Sequence, residues 1–213
     1  MKKLFLFILS FTFLFPSMVS AAPCAIYGQL TNPWTNGSFN FGNGGTSRLQ
    51  AQQFTVASTC TVDSISVDIA KIGTPTDHAT VAIYSDSGGA PNAALETGSN
   101  VDPTTTSNTF ANATSTFLGT LTLNTSTTYW VVLGGTGAGS GTDLYDWAAN
   151  NASVPYGNGA RYDGTSWISS GGGYNRFFVV NAVATPAPVP TPDDGIIWFD
   201  VAFDLVKKFS LFV

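Results

Sequence analysis

The stretch TVDSISVDIAKIG, residues 61–73, constrains the fold more than any other part of the chain. Ile65, Val67 and Ile69 alternate with Ser64, Ser66 and Asp68. Successive side chains of a strand point to opposite faces, so a strict period of two describes a strand with one buried face. Further strand-like runs follow. ATVAIYS (79–85) puts Val81 and Ile83 on one face, and TFLGTLTL (116–123) and TYWVVLGG (128–135) come after it. GARYDGTSWIS (159–169) holds two runs, and NRFFVVNAV (175–183) supplies a last strand. Turn chemistry separates them. NTST divides the third run from the fourth. Asp163 and Gly164 are the pair favoured in a two-residue type I′ hairpin. No segment of helical period and convincing length precedes residue 190. Many short strands without helices predict an all-β fold, a jelly-roll-like antiparallel β-sandwich.

In VAIYSDSGGAPNAAL (81–95) a strand runs into acidic residues, paired glycines and a proline. A calcium ion wants six to eight oxygens, commonly from several acidic side chains. Asp86 beside Ser85 and Ser87 offers too few. A turn explains every residue. Asp86 and Ser87 open it, Gly88 and Gly89 supply positive φ, and Pro91 blocks continuation of the strand. No metal and no cofactor is expected.

The two ends of the chain differ from its middle. Residues 1–21 read as a secretory signal: Lys2 and Lys3 are the basic start, Leu4 to Phe15 the apolar run, and Val19, Ser20 and Ala21 the small residues before cleavage. The apolar run is shorter than the roughly 20 residues that span a bilayer. Pro23 ahead of Cys24 disfavours acylation of that cysteine. Export gives meaning to Cys24 and Cys60, the only two cysteines, because an oxidising compartment favours joining them; two unpaired thiols are the alternative. Residues 22–184 have the length of one domain. Residues 185–194 form a Pro-rich, extended linker. In residues 195–213, Asp200, Asp204 and Lys207 with Lys208 fall on one stripe of a helix whose remaining surface is apolar. A short C-terminal amphipathic helix is therefore expected. Two aspartates make it a poor spanning segment. It suits a membrane surface, a partner protein or self-association.

Composition narrows the function. The net charge is −5, and the basic residues of the domain, Arg48, Lys71, Arg161 and Arg176, are scattered, so nucleic acid is not an expected partner. His78 is the only histidine, with Asp77 as its sequence neighbour, a poor position for the orienting acid of a catalytic triad. No GxSxG nucleophile elbow accompanies it. Glu96 is the only glutamate, which would leave a glycosidase to rely on Asp143, Asp146 and Asp163. Nothing in the sequence pairs them, so no catalytic residue is expected. The richest segment for binding runs from Tyr145 to Tyr174, where rings alternate with amides and carboxylates. Flat rings with polar neighbours suit the apolar faces and fixed hydroxyls of sugars. The candidate ligand set is Tyr145, Trp147, Tyr162 and Trp167 with Asp146 and Asp163. The same rings would otherwise pack the sandwich or form cross-strand aromatic pairs. Four Asn-x-Ser/Thr triplets, beginning at Asn36, Asn112, Asn124 and Asn151, match the glycosylation sequon.

From Gln53 to about Val180 the chain resembles the choice-of-anchor R domain of exported bacterial proteins. The segments that carry the resemblance are AQQFTV, SISVDIAKIGTPTDHATVAIYSDSGGAPNAAL, TYWVVLG and WAANNASVPYGNGARYDGTSW. It implies one β-rich domain joined to a C-terminal surface-anchoring segment, in the extracellular space or the cell envelope. In the tail, VPTP stands where a Val-Pro-Glu-Pro box would be expected, and apolar residues continue after Lys208. These features together predict a non-catalytic cell-surface or envelope-associated binding or presentation module, with a glycan or cell-wall ligand. The alternatives are a structural assembly protein whose residues 195–213 dock on a membrane or neighbour, and a secreted hydrolase.

Overall fold

The computed structural model describes residues 24–27, 37–43, 47–102, 106–136, 143–150, 157–171 and 174–183. The expected signal, linker and C-terminal helix lie outside the described residues. Among those described there are strands and no helix. In chain order they are β1 (Ala25–Tyr27), β2 (Gly37–Asn43), β3 (Ser47–Thr55), β4 (Cys60–Ile72), β5 (Ala79–Ser87), β6 (Ala90–Thr97) and β7 (Ala111–Thr116). They continue with β8 (Thr122–Leu123), β9 (Thr128–Gly135), β10 (Leu144–Asn150), β11 (Gly159–Tyr162), β12 (Trp167–Gly171), β13 (Asn175–Arg176) and β14 (Phe178–Ala182).

Every pairing between them is antiparallel, and they form two sheets that meet where β2 turns into β3. The first sheet is organised by β4. One edge of β4 pairs with β7 and β8, and the other pairs with β14 and then β10. β2 lies beyond β10, and β1 beyond β14. The second sheet runs β6, β5, β9, β3, β11, β12.

The core lies between the sheets. The first contributes Phe41, Ile65, Val67, Ile69, Tyr145, Trp147, Phe178 and Val180, and the second Phe54, Val81, Ile83, Tyr129, Val131 and Leu133. The period of two in β4 therefore has the expected meaning for Ile65, Val67 and Ile69. Its outward face is less wet than expected: Ser64 and Asp68 are buried as well, because β4 has neighbours along both edges. A second apolar cluster of Ala51, Trp130, Val132 and Ala160 packs with Tyr84 and Trp167 on the other face of the second sheet. Cys24 and Cys60 form a disulfide that ties the start of β1 to the start of β4.

The SDSGG segment is a hairpin turn between β5 and β6, with Gly88 and Gly89 both at positive φ (64° and 83°). Asp86 has a structural task there. Its carboxylate accepts the Gly89 N–H at 3.2 Å and the Trp130 indole N–H at 2.8 Å. Pro91 departs from expectation: it lies inside β6, opposite Asp86. That strand ends the sheet, where a residue without an N–H is tolerated.

Other elements also shift. The third expected run is replaced by β7 upstream and the two-residue β8, with Gly119 at positive φ between them. The last run is interrupted at Phe177, whose N–H donates to the Ala148 carbonyl, so that β13 pairs with β10 and β14 with β4. The hairpin at Asp163 exists, but its loop holds four residues, because Tyr162 pairs with Trp167. Asp163 Oδ1 accepts the N–H groups of Thr165 and Ser166, each at 2.9 Å, a local turn that displaces the two-residue form.

Candidate functional site

β10 separates the candidate residues into two groups. LYDWAAN is a strand inside the first sheet, and its alternation sends Tyr145 and Trp147 into the core, both 0 % exposed. Their polar ends are satisfied internally. The Tyr145 hydroxyl donates to the Asp77 carbonyl at 2.6 Å, and Trp147 Nε1–H donates to the Phe177 carbonyl at 2.8 Å. Burial pushes the Tyr145 phenol well above its ordinary pKa, and the carboxylates of Asp77 and Asp102 add to the effect. Neither ring offers a face to a ligand. Asp146 points to the opposite side of the same strand, half-buried. Burial raises its pKa, and a hydrogen bond with Ser38 acts against that rise.

Tyr162, Trp167 and Asp163 lie together at the end of the β11–β12 hairpin. The rings of Tyr162 and Trp167 are 5.4 Å apart, and Trp167 also meets Tyr84 edge-on at 6.4 Å. Trp167 is thus largely engaged in the second apolar cluster. Tyr162 is half-buried and, with Asp163, lines a cleft of about 480 Å³. The remaining walls are Ser38, Phe39 and Asn40 from β2, Gln50 from β3, and Arg161 and Ser170 from the hairpin. The cleft therefore sits where the two sheets join. The turn hydrogen bonds from Ser166 and Thr165 hold the Asp163 carboxyl below the usual carboxylate range, and Arg161 contributes in the same direction.

Beneath the cleft lies Arg176, 0 % exposed. Its Nη2–H donates to Gln50 Oε1 at 2.8 Å and to Ser170 Oγ at 3.3 Å, and both of these residues line the cleft. Its guanidinium lies 3.9 Å from the centre of the Phe39 ring and 5.8 Å from that of Trp147. Among the described residues, Nε and Nη1 have no hydrogen-bond acceptor and no carboxylate pairs with the group. Burial pulls its pKa down to about 9, which leaves it cationic at neutral pH. Burying an unpaired cation costs several kcal/mol, and a ring face recovers only about 0.5–2 kcal/mol of that. Gly159 makes room for it: a Cβ there would collide with Arg176 Nη1.

Sequence patterning did not single out Phe39, Gln50 or Arg176. The available signal was the spacing of Gln50, Gln52 and Phe54, which places two amides on the inward face of a strand. Gln52 Oε1 accepts the Arg176 backbone N–H at 3.3 Å.

The other candidates for chemistry are occupied elsewhere. The main chain of His78 exchanges hydrogen bonds with Thr136, and the residue is not part of the cleft wall. Glu96 accepts the Leu118 N–H at 2.7 Å, and Asp143 accepts the Thr74 N–H at 2.9 Å. Among the described residues, no three His, Cys, Asp or Glu side chains cluster as metal ligands. Compared with known proteins, the chain matches no family model and no curated protein.

Proposed function

We propose that this is a non-catalytic binding module that takes a glycan in the cleft at the β11–β12 hairpin. The observation that carries the reading is a single concavity of sugar size, lined by two partly exposed aromatic residues, Phe39 and Tyr162, and by residues of several polar types. A ring supplies a platform for the C–H face of a sugar, and the side chains of Gln50, Arg161 and Ser170 suit its hydroxyls. The site differs from the wider aromatic set expected from the sequence: it keeps Tyr162 and Asp163, leaves Trp167 as a support behind Tyr162, and leaves Tyr145 and Trp147 to the core.

The finer features of the reading belong to the same proposal. The two sheets form a jelly-roll-like sandwich of the choice-of-anchor R type. The chain is exported, and residues 195–213 attach it to a surface in the cell envelope. The Cys24–Cys60 disulfide is consistent with an oxidising compartment.

The test is a pull-down of the full chain on insoluble polysaccharides and purified cell walls, beside its Tyr162→Ala variant. The wild type should be retained by at least one of these. The variant should lose about tenfold in affinity while melting within about 3 °C of the wild type, as expected when a partly exposed ring is removed. Equal retention of both proteins would refute the assignment of the cleft.

A further inference from the structure

The proposed glycan site has a surplus of positive charge at its floor. Two charged residues line the cleft, Arg161 and Asp163, and they offset one another. Among the described residues no acid balances Arg176 beneath them, in a chain whose net charge is −5. An isolated cation inside an acidic protein is costly to keep, and the two residues that hold it both face the cleft.

The hydrogen-bond directions matter. Ser170 Oγ accepts from Arg176, so its own hydroxyl hydrogen points away from the guanidinium and is free to donate. Gln50 Oε1 also accepts from Arg176, while Nε2 donates one hydrogen to the Asn40 carbonyl at 2.9 Å and keeps a second. Both groups are thus donors polarised by a cation behind them. A charge screened this way recognises an anion better than a neutral hydroxyl, since hydrogen bonds to ionised groups are roughly twice as strong. One surplus charge matches one negative charge.

We infer that the ligand is a monoanionic, carboxylate-bearing sugar of the uronic-acid class, its carboxylate seated over Ser170 and Gln50 with Arg176 behind them and Arg161 at the rim. This rests on the glycan reading of the cleft, and it adds the charge of the ligand.

The experiment follows the Arg176 Nε–H resonance of the full chain by NMR during titration with glucuronate, glucose, the methyl ester of glucuronate, and acetate. Glucuronate should shift that resonance with a dissociation constant on the order of 1 mM. Glucose and the ester should bind at least about tenfold more weakly, the difference expected for one charge-assisted hydrogen bond. Arg176→Met should abolish the preference for the acid. Should that variant fail to fold, Ser170→Ala and Arg161→Gln serve instead, each weakening glucuronate more than glucose. Equal shifts with glucose and glucuronate would overturn the inference while leaving a sugar site in place. Acetate reproducing the full effect of glucuronate would retain the anion site and overturn the sugar reading beneath it. No shift with any of the four would overturn both.

Discussion

Replacing Asp68 by asparagine should stabilise the protein at neutral pH and make little difference in acid. Asp68 is 4 % exposed, on the outward face of β4 and opposite Asn112 of β7. Burial raises its pKa from 3.8 to about 6. The unfolded chain keeps the lower value. Between the two values the native state holds a proton that the unfolded chain has released, so this group's contribution to stability falls as pH rises from 3.8 to about 6. Above that window the ionised carboxylate costs at most about 3 kcal/mol, at about 1.36 kcal/mol per pKa unit. Screening by solvent and neighbouring dipoles reduces this to about 1–2 kcal/mol. Urea unfolding followed by tryptophan fluorescence, run on both proteins at about pH 7.5 and about pH 4, reads the difference and cancels the other titrating groups. The asparagine variant should be the more stable by about 1–2 kcal/mol at the higher pH, and the gap should close at the lower one. A variant that is less stable at both, or a gap that ignores pH, would refute the account of Asp68 as an acid destabilised by burial.

Other outcomes follow from single contacts. The Cys24–Cys60 bridge closes a separation of 36 residues, so its removal as a paired serine variant should cost about 4 kcal/mol on chain-entropy grounds, visible as a melting temperature lower by roughly 8–15 °C. Trp147→Ala should cost about 3–5 kcal/mol in chemical denaturation, because it empties a core site and leaves the Phe177 carbonyl without its donor. Asp86→Ala should cost about 1–3 kcal/mol by orphaning the Trp130 indole N–H, and added calcium should leave the wild-type melting temperature unchanged, as a turn residue requires.

The parts of the fold legible in the sequence were those whose core residues recur at every second position. β4, β5 and β9 declared themselves because Ile65, Val67, Val81, Ile83, Val131 and Leu133 recur at alternate positions. The glycine pair at 88 and 89 fixed its own hairpin, since positive φ at both positions leaves few alternatives. In β10 the sequence offers Tyr145 and Trp147 either as ligand rings or as core, and local pattern does not decide between the two. The strand's burial is set by β4 and β2 on either side, which local sequence cannot report. β6 carries Pro91 and small residues, an edge pattern without apolar alternation.

The site was half legible for the same reason. Tyr162 and Asp163 stand out as a ring beside a turn. The opposite wall is built from Phe39 and Gln50, well over a hundred positions earlier, and meets the hairpin only because β11 pairs with β3. Arg176 looked like one scattered basic residue at a strand start. Its meaning depends on Gln50, Gln52 and Ser170, which only the folded chain gathers around it.

The most direct test of the central claim is a crystal structure of the full chain with the oligosaccharide that the pull-down selects. The account predicts a sugar ring stacked on Tyr162, with its polar groups reaching Gln50, Arg161 and Ser170 in the cleft. A sugar bound on the outward face around Asp146, or anywhere that leaves the cleft empty, would contradict it.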